Sequence, residues 1–208
     1  MLIFEASGIT QEPFALYKPF VSHNPVEQSS FSEQGSPNCD NFVSFSNIIT
    51  TLLPFEINDK LYIVGKPRYN INNELKFIER YNSSISTSLG YKSDEEIMAY
   101  FLECDFVVLP YKEASQSGVL ITALSLGKPV ITTNVGGLPE VVEMVNGGHV
   151  VEPNNPILLC KALNKFSEIT DSKLAEWSSD IRKKTLTNYS WDNIAKLTLN
   201  FYNKIRSI

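Results

Sequence analysis

Short apolar runs alternate with amphipathic stretches from about residue 42 onward. Phe106–Leu109 is wholly apolar and Val130–Thr133 is wholly β-branched, which is typical of strands buried on both faces of a parallel sheet. Between them, the largely apolar stretch Ser117–Leu126 predicts a buried helix that ends at Gly127, a common position for a left-handed residue. This alternation predicts an α/β, Rossmann-like parallel sheet with helices on both faces.

Further elements continue the same alternation. A capping box formed by Ser93 and Glu96 marks the start of one helix. The other predicted strands are Leu61–Val64, Ser84–Leu89 and His149–Val151. The other predicted helices are Asn47–Leu53, Asn72–Tyr81, Asp94–Glu103, one from Pro156 to about Phe166, one capped by Asp171 or Ser172 and a last one capped by Ser190. The resulting division is an irregular N-terminal segment or linker (1–41), a Rossmann-like domain (42–188) and a C-terminal helix (189–208).

Two loops follow the central strands, at the sheet edge where α/β proteins bind ligands. They are Tyr111–Gln116 and Asn134–Leu138. The first leads into a helix N-terminus at Ser117, whose backbone amides and helix dipole favour an anion. The second contains Gly136 and Gly137, which allow a backbone to approach a ligand closely. Together they indicate a phosphate or diphosphate site; the alternative is an ordinary turn beside an ordinary helix cap.

Composition narrows the possible functions. The chain has 208 residues, enough for one sizeable core, and a net charge of −5 with a pI near 5.1 argues against a nucleic-acid surface. No apolar run reaches the roughly 20 residues of a membrane span, and no signal-peptide pattern opens the chain. Three widely spaced cysteines form neither a zinc pattern nor a disulfide framework, which predicts a reducing, cytoplasmic location. We interpret the basic run Arg182–Lys184 as a solvated helix end, and peripheral membrane association stays an open alternative.

Four motifs in a fixed order carry a family resemblance: VVLPY, ASQSGV, LGKPVI and TTNVGGLPEVV. They resemble the C-terminal, nucleotide-sugar-binding half of GT-B glycosyltransferases, specifically the retaining family 4-like group, also called group 1. The resemblance extends from roughly Phe42 to the C-terminus. It implies sugar transfer from a nucleotide-sugar donor to a glycan or lipid-linked acceptor, as in polysaccharide biosynthesis. The nucleotide sugar is then the substrate, and no further cofactor is expected.

The resemblance and the loop positions together nominate a set of nucleotide-sugar-binding residues. The helix N-terminus would hold the diphosphate, the loop at Tyr91 would lie along the base, and Lys66 would contribute a cation. For Tyr91 the alternative is ordinary surface packing. The candidates are Lys66, Tyr91, Ser115, Gln116, Ser117, Gly118, Val119, Thr122, Gly136 and Gly137. No metal site is expected, because neither His23 nor His149 has a second ligand at a suitable spacing.

The chain also departs from the family pattern. Many of these transferases carry two glutamates with seven residues between them; counting back from Gly127 places those positions at Ala114 and Thr122. In this group a strand and then a basic loop that holds the diphosphate usually open the C-terminal half. The resemblance makes Phe42–Ser46 that strand, but no Arg or Lys follows it before Lys60. Catalytic residues therefore stay unassigned. Three hypotheses remain: a glycosyltransferase present as its donor-binding half, with a partner chain supplying the acceptor-binding half; a non-catalytic nucleotide-sugar-binding or partner module; and an inactive truncated glycosyltransferase.

Overall fold

A computed structural model describes residues 2–5, 60–66, 70–79 and 85–206, and these form six strands and seven helices. The strands are β1 (Leu2–Glu5), β2 (Lys60–Gly65), β3 (Ile85–Leu89), β4 (Phe106–Leu109), β5 (Val130–Thr133) and β6 (Gly148–Val151). The helices are α1 (Asn72–Ile78), α2 (Asp94–Glu103), α3 (Gly118–Ser125), α4 (Leu138–Val145), α5 (Pro156–Ser167), α6 (Asp171–Tyr189) and α7 (Trp191–Arg206).

The six strands form one sheet in the order β3-β2-β1-β4-β5-β6. The pairs β2–β3, β4–β5 and β5–β6 are parallel, whereas β1 is antiparallel to both of its neighbours. The five other strands therefore all point in one direction, which confirms the predicted Rossmann-like α/β fold. The central antiparallel strand is a difference from the all-parallel expectation: Leu2–Glu5 lies within residues 1–41, which the sequence analysis treated as irregular.

Strand β4 shows how the sheet separates two cores. Its residues are all buried and alternate in direction, so Phe106 and Val108 pack with one apolar cluster while Val107 and Leu109 pack with the other. The first cluster is covered mainly by α5, whose Phe166 packs edge to face against Phe106 with 5.2 Å between the ring centroids. The second is closed by residues of α2, α3, α4 and α6. A fully apolar strand is required here because both of its faces are covered.

Most predicted boundaries agree with the structure to within one or two residues. The capping box at the start of α2 is present, with Ser93 Oγ accepting from the Glu96 amide at 3.3 Å and Glu96 Oε2 accepting from the Ser93 amide at 2.8 Å. One cap prediction is wrong, because Thr170 and not Asp171 or Ser172 precedes the first turn of α6. The predicted elements Phe42–Ser46 and Asn47–Leu53 lie outside the described residues.

The described cysteines, Cys104 and Cys160, are buried free thiols. Burial raises the pKa of Cys104 to about 12, from an ordinary value of 9.0, so the reactive thiolate at pH 8 should fall about 1000-fold. In a Cys39→Ser variant we therefore expect Ellman's reagent to modify both thiols only after unfolding. Rapid modification of the folded protein would contradict this prediction.

Candidate functional site

The carboxyl ends of β2 to β6 lie along one edge of the sheet, and two loops meet there. Thr133, the last residue of β5, donates from Oγ1 to the carbonyl oxygen of Tyr111. The Gly137 amide donates to the Ser115 carbonyl oxygen at 2.9 Å. The loops after β4 and β5 are therefore joined at two points, as expected for neighbouring loops at a ligand-binding edge.

Gly136 makes this junction possible. Gly136 has a positive φ of 53°, and a Cβ there would lie 1.9 Å from the Ala114 carbonyl oxygen and 2.7 Å from that of Ser115. The space that a side chain would take is filled by the neighbouring loop. Gly136 and Gly137 were predicted to let the backbone approach a ligand, and in the structure Gly136 admits the 114–115 backbone. A Cβ on Gly137 would lie 3.5 Å from the Ser115 carbonyl oxygen, which is an ordinary contact.

Helix α3 begins at the centre of this edge. Ser117 is its N-cap, in an extended conformation with φ −140° and ψ 115°, and its Oγ accepts from the Leu120 amide at 3.2 Å. Within the described residues, no hydrogen bond is recorded for the amides of Gly118 and Val119, the first two helical residues. The first turn holds no acidic residue, and the space around the Gly118 Cα is open. Amides without a partner among the described residues, the helix dipole and the free space at Gly118 together suit an anion.

Polar side chains flank these amides. Ser115 and Gln116 are exposed just before the helix, and Ser117 is half-buried. Thr122 lies one turn further along, where its Oγ1 donates to the Gly118 carbonyl oxygen at 2.9 Å, so its proton is engaged within the helix while its lone pairs stay available. Ala114 presents a backbone carbonyl and not a carboxylate to this region.

Lys66 and Tyr91 form a second group on the other side of β1. Each follows a parallel strand, and the loops are held together by the Gly90 amide, which donates to the Gly65 carbonyl oxygen at 3.2 Å. Both side chains are exposed. Strand β2 is two places from β4, which is about 10 Å at the usual strand spacing. The structure thus gathers eight candidates around the start of α3 and leaves these two on the far side of the sheet's centre.

Two residues at this edge were not assigned a role from the sequence. Tyr111 and Thr133 link the loops through the bond described above, and the Tyr111 hydroxyl lies 3.2 Å from Ser117 Oγ. Their only sequence signal is a hydroxyl-bearing residue at or just beyond a strand's end. Among the described residues, no three His, Cys, Asp or Glu side chains cluster closely enough to hold a metal ion. None of the described helices has the length and hydrophobicity that a membrane span requires.

Comparisons with known proteins agree with this architecture. A relative from Methanocaldococcus jannaschii, an uncharacterized glycosyltransferase, is 28% identical over 182 residues, covering 84% of this chain and 50% of that protein. The D-inositol 3-phosphate glycosyltransferase of Corynebacterium urealyticum is 27% identical over 111 residues, covering 53% of this chain and 26% of that protein. A sucrose-phosphate synthase from Thermosynechococcus elongatus shares the fold, with a TM-score of 0.61 at 21% identity, over 78% of this chain and 42% of that one.

The chain therefore spans about half of the archaeal relative and less of the other two. A family model described as Glycosyl transferases group 1 matches residues 35–168, which is more than half of the chain. By fold and by family match, this chain belongs to the group 1 glycosyl transferases, as a C-terminal-like GT-B domain.

Proposed function

We propose that this chain binds the nucleotide-sugar donor of a glycosyltransferase, with the diphosphate at the start of α3. The observation that carries the proposal is the pair of amides at Gly118 and Val119, which have no hydrogen-bond partner among the described residues and lie at a helix N-terminus without acidic residues. A phosphate placed there gains hydrogen bonds from the amides and a favourable interaction with the helix dipole. Membership of a glycosyltransferase family makes a nucleotide sugar the natural source of that phosphate.

The other candidate residues take supporting roles in this proposal. Ser115, Gln116 and Ser117 offer polar contacts to the diphosphate and the sugar, and Thr122 offers lone pairs to a ribose hydroxyl. Gly136 and Gly137 fix the loop that carries these groups. Lys66 and Tyr91 lie further along the edge, where the cation would approach phosphate and the ring would approach the base.

Catalysis in this proposal rests on electrostatic support of the leaving nucleoside diphosphate. Amides that already point at the developing negative charge lower the barrier without having to reorganise. The donor is the substrate, and no cofactor or metal takes part. Residues 42–188, together with strand β1 (Leu2–Glu5) at the centre of their sheet, would form the donor-binding domain. The buried thiols Cys104 and Cys160 suit a reducing compartment, and we place the chain in the cytoplasm.

A second candidate function is donor binding without catalysis. It is favoured by Ala114 and Thr122, which stand where many relatives carry glutamates. A hydroxyl gives a weaker hydrogen bond to a ribose hydroxyl than a carboxylate does, and Ala114 gives no side-chain contact at all. An inactive truncated glycosyltransferase is the third. Both binding functions predict the same donor site and differ only in turnover.

The acceptor-binding half has a natural docking surface on α7. Seven large apolar side chains of this helix are exposed, among them Trp191 by 85% and Phe201 by 63%. All of them except Leu199 recur at helical spacing along one side of the helix. We call these six the α7 apolar face: Trp191, Ile194, Leu197, Phe201, Tyr202 and Ile205. An uncovered apolar face of this size marks an interaction surface. We propose that it contacts the acceptor-binding half, supplied either by a partner chain or by further residues of the same protein.

Changing Gly118 to aspartate tests the donor site. A carboxylate at the start of α3 would oppose the diphosphate, and like charges a few ångströms apart near a surface interact by a few kcal/mol, so affinity should fall about tenfold or more. The measurement is calorimetric titration with UDP, GDP and ADP. Gly118→Ala is the matched control, because the open space there accommodates a Cβ. Equal affinity in the aspartate and alanine variants would show that the diphosphate does not bind at this helix.

A further inference from the structure

Ser117 Oγ takes part in two hydrogen bonds, one with the Leu120 amide of the helix and one with the Tyr111 hydroxyl. It accepts from the Leu120 amide at 3.2 Å, and it lies 3.2 Å from the Tyr111 hydroxyl. We propose that Tyr111 is a positioning residue: it makes the Ser117 hydroxyl a hydrogen-bond donor to the phosphate of the nucleotide sugar. This inference rests on the proposed function, and it assigns to Tyr111 a part in the phosphate selectivity of that site.

Ser117 has few hydrogen-bonding groups to share between the helix, Tyr111 and a ligand. A serine hydroxyl has one proton and two lone pairs. The Leu120 amide takes one lone pair. When Tyr111 donates, it takes the second, and the Ser117 proton is the one group left to contact a ligand. When Ser117 donates to Tyr111, that proton is no longer available for a hydrogen bond to the ligand.

A bound anion decides between these two directions. In the free protein either oxygen can act as donor, because both are hydroxyls. A phosphate oxygen is a stronger acceptor than a phenol oxygen, and hydrogen bonds to ionised groups are roughly twice as strong as neutral ones. Phosphate binding therefore selects the arrangement in which Tyr111 donates to Ser117 and Ser117 donates to phosphate. An uncharged ligand group gives much less of this selection.

Tyr111 is well placed for this task because it is fixed by the sheet. Its amide donates to the Leu109 carbonyl oxygen at 2.9 Å, and its carbonyl oxygen accepts from Thr133. The ring is half-buried and packs against the apolar cluster beneath α3. The phenol oxygen is thus held from the ends of β4 and β5. Removing it leaves the ring and the Leu120–Ser117 cap in place.

A double-mutant cycle tests the proposal by calorimetry with the tightest-binding of UDP, GDP and ADP. We expect Tyr111→Phe to weaken binding about three- to tenfold and Ser117→Ala to weaken it at least as much. The double variant should bind no more weakly than Ser117→Ala alone, because Tyr111 acts through the Ser117 hydroxyl. Multiplied losses in the double variant would overturn the inference, since Tyr111 would then act independently of Ser117.

Tyr100→Phe is the matched control, because Tyr100 is a half-buried tyrosine on α2 that packs against the same cluster. It should bind like the wild type, and both phenylalanine variants should melt at the wild-type temperature. Unchanged nucleotide affinity in Tyr111→Phe, with Gly118→Asp still defective, would overturn the role of Tyr111 and leave the donor site standing. Failure of the wild type to bind any of the three nucleotides would overturn the proposed function and this inference with it.

Discussion

Replacing Gly136 with alanine should lower the free energy of unfolding by about 2–5 kcal/mol. A left-handed backbone conformation costs a non-glycine residue about 1–2 kcal/mol, and forcing a methyl group into filled space costs about 1–3 kcal/mol more. Both penalties apply here, because φ is 53° and the new Cβ would lie 1.9 Å from a backbone oxygen of Ala114. The measurement is equilibrium denaturation followed by circular dichroism.

The expected consequence for binding distinguishes this variant from a general loss of stability. The steric clash at the new Cβ can be relieved only by moving the loop after β4 away from the loop after β5. This movement would stretch the Gly137–Ser115 hydrogen bond. Nucleotide affinity should therefore fall even under conditions where the variant is fully folded. Gly118→Ala is the control, with open space around its Cα and an expected change in stability within about 1 kcal/mol. Wild-type stability in Gly136→Ala would show that the two loops do not meet as described.

Local sequence signals were sufficient to predict most of the strands and helices. Phe106–Leu109 and Val130–Thr133 are strands with the predicted bounds, because a short apolar or β-branched run between turn residues has few other stable conformations. Ser93 and Glu96 fixed the start of α2 for a similar reason, since both partners of the capping box lie within one turn. Gly127 ends α3 with a φ of 77°, as predicted from its place between the helix and Pro129.

Features that depend on distant residues were not predictable in the same way. Strand β1 is only four residues long, and nothing within Leu2–Glu5 encodes pairing with both β2 and β4 or the antiparallel direction. Such pairing depends on segments far apart in the chain, whose side chains select partners only once the sheet assembles. The N-cap of α6 was uncertain for a smaller reason: Thr170, Asp171 and Ser172 are all capping residues, and only the extended backbone at Thr170 distinguishes them.

The positions of the two loops at the sheet edge were predictable, but the contacts between the loops were not. Parallel strand ends bring Ser115–Val119 and Gly136–Gly137 to one edge whatever the details of the loops. A glycine pair in the sequence indicates that side chains are not tolerated there, and it does not say what occupies the space. In the structure the occupant is the Ala114–Ser115 backbone. For the same reason, local sequence does not encode the contact between the Tyr111 hydroxyl and Ser117 Oγ on which the proposed role of Tyr111 depends.

Sugar transfer by this chain should require the acceptor-binding half. A GT-B reaction takes place in a cleft between two halves, where donor and acceptor are aligned and water is excluded, and alignment alone supplies many orders of magnitude in rate. This chain provides one such half and covers only 26% of the D-inositol 3-phosphate glycosyltransferase of Corynebacterium urealyticum. We therefore expect the isolated chain to bind nucleotides without measurable release of nucleoside diphosphate from nucleotide sugars.

A chimera makes this expectation quantitative. In it, the segment of this chain that matches the D-inositol 3-phosphate glycosyltransferase replaces the matching segment of that enzyme. D-inositol 3-phosphate serves as acceptor. If the donor site is catalytically competent, one nucleotide sugar of a panel should support turnover at least about 10³-fold above the isolated chain. Gly118→Asp should abolish it. Tight nucleotide binding without turnover in the chimera would instead favour the non-catalytic donor-binding module.

The α7 apolar face provides the matching test on the full chain. Combining Trp191→Ser with Phe201→Ser should prevent association with any acceptor-binding half that restores turnover, because both side chains are exposed and apolar in the chain alone. Leu102→Ser with Met144→Ser removes two exposed apolar side chains from α2 and α4 and should leave association unchanged. Robust turnover by the unmodified isolated chain, lost in Gly118→Asp, would contradict the requirement for a second half and show that this domain transfers sugar on its own.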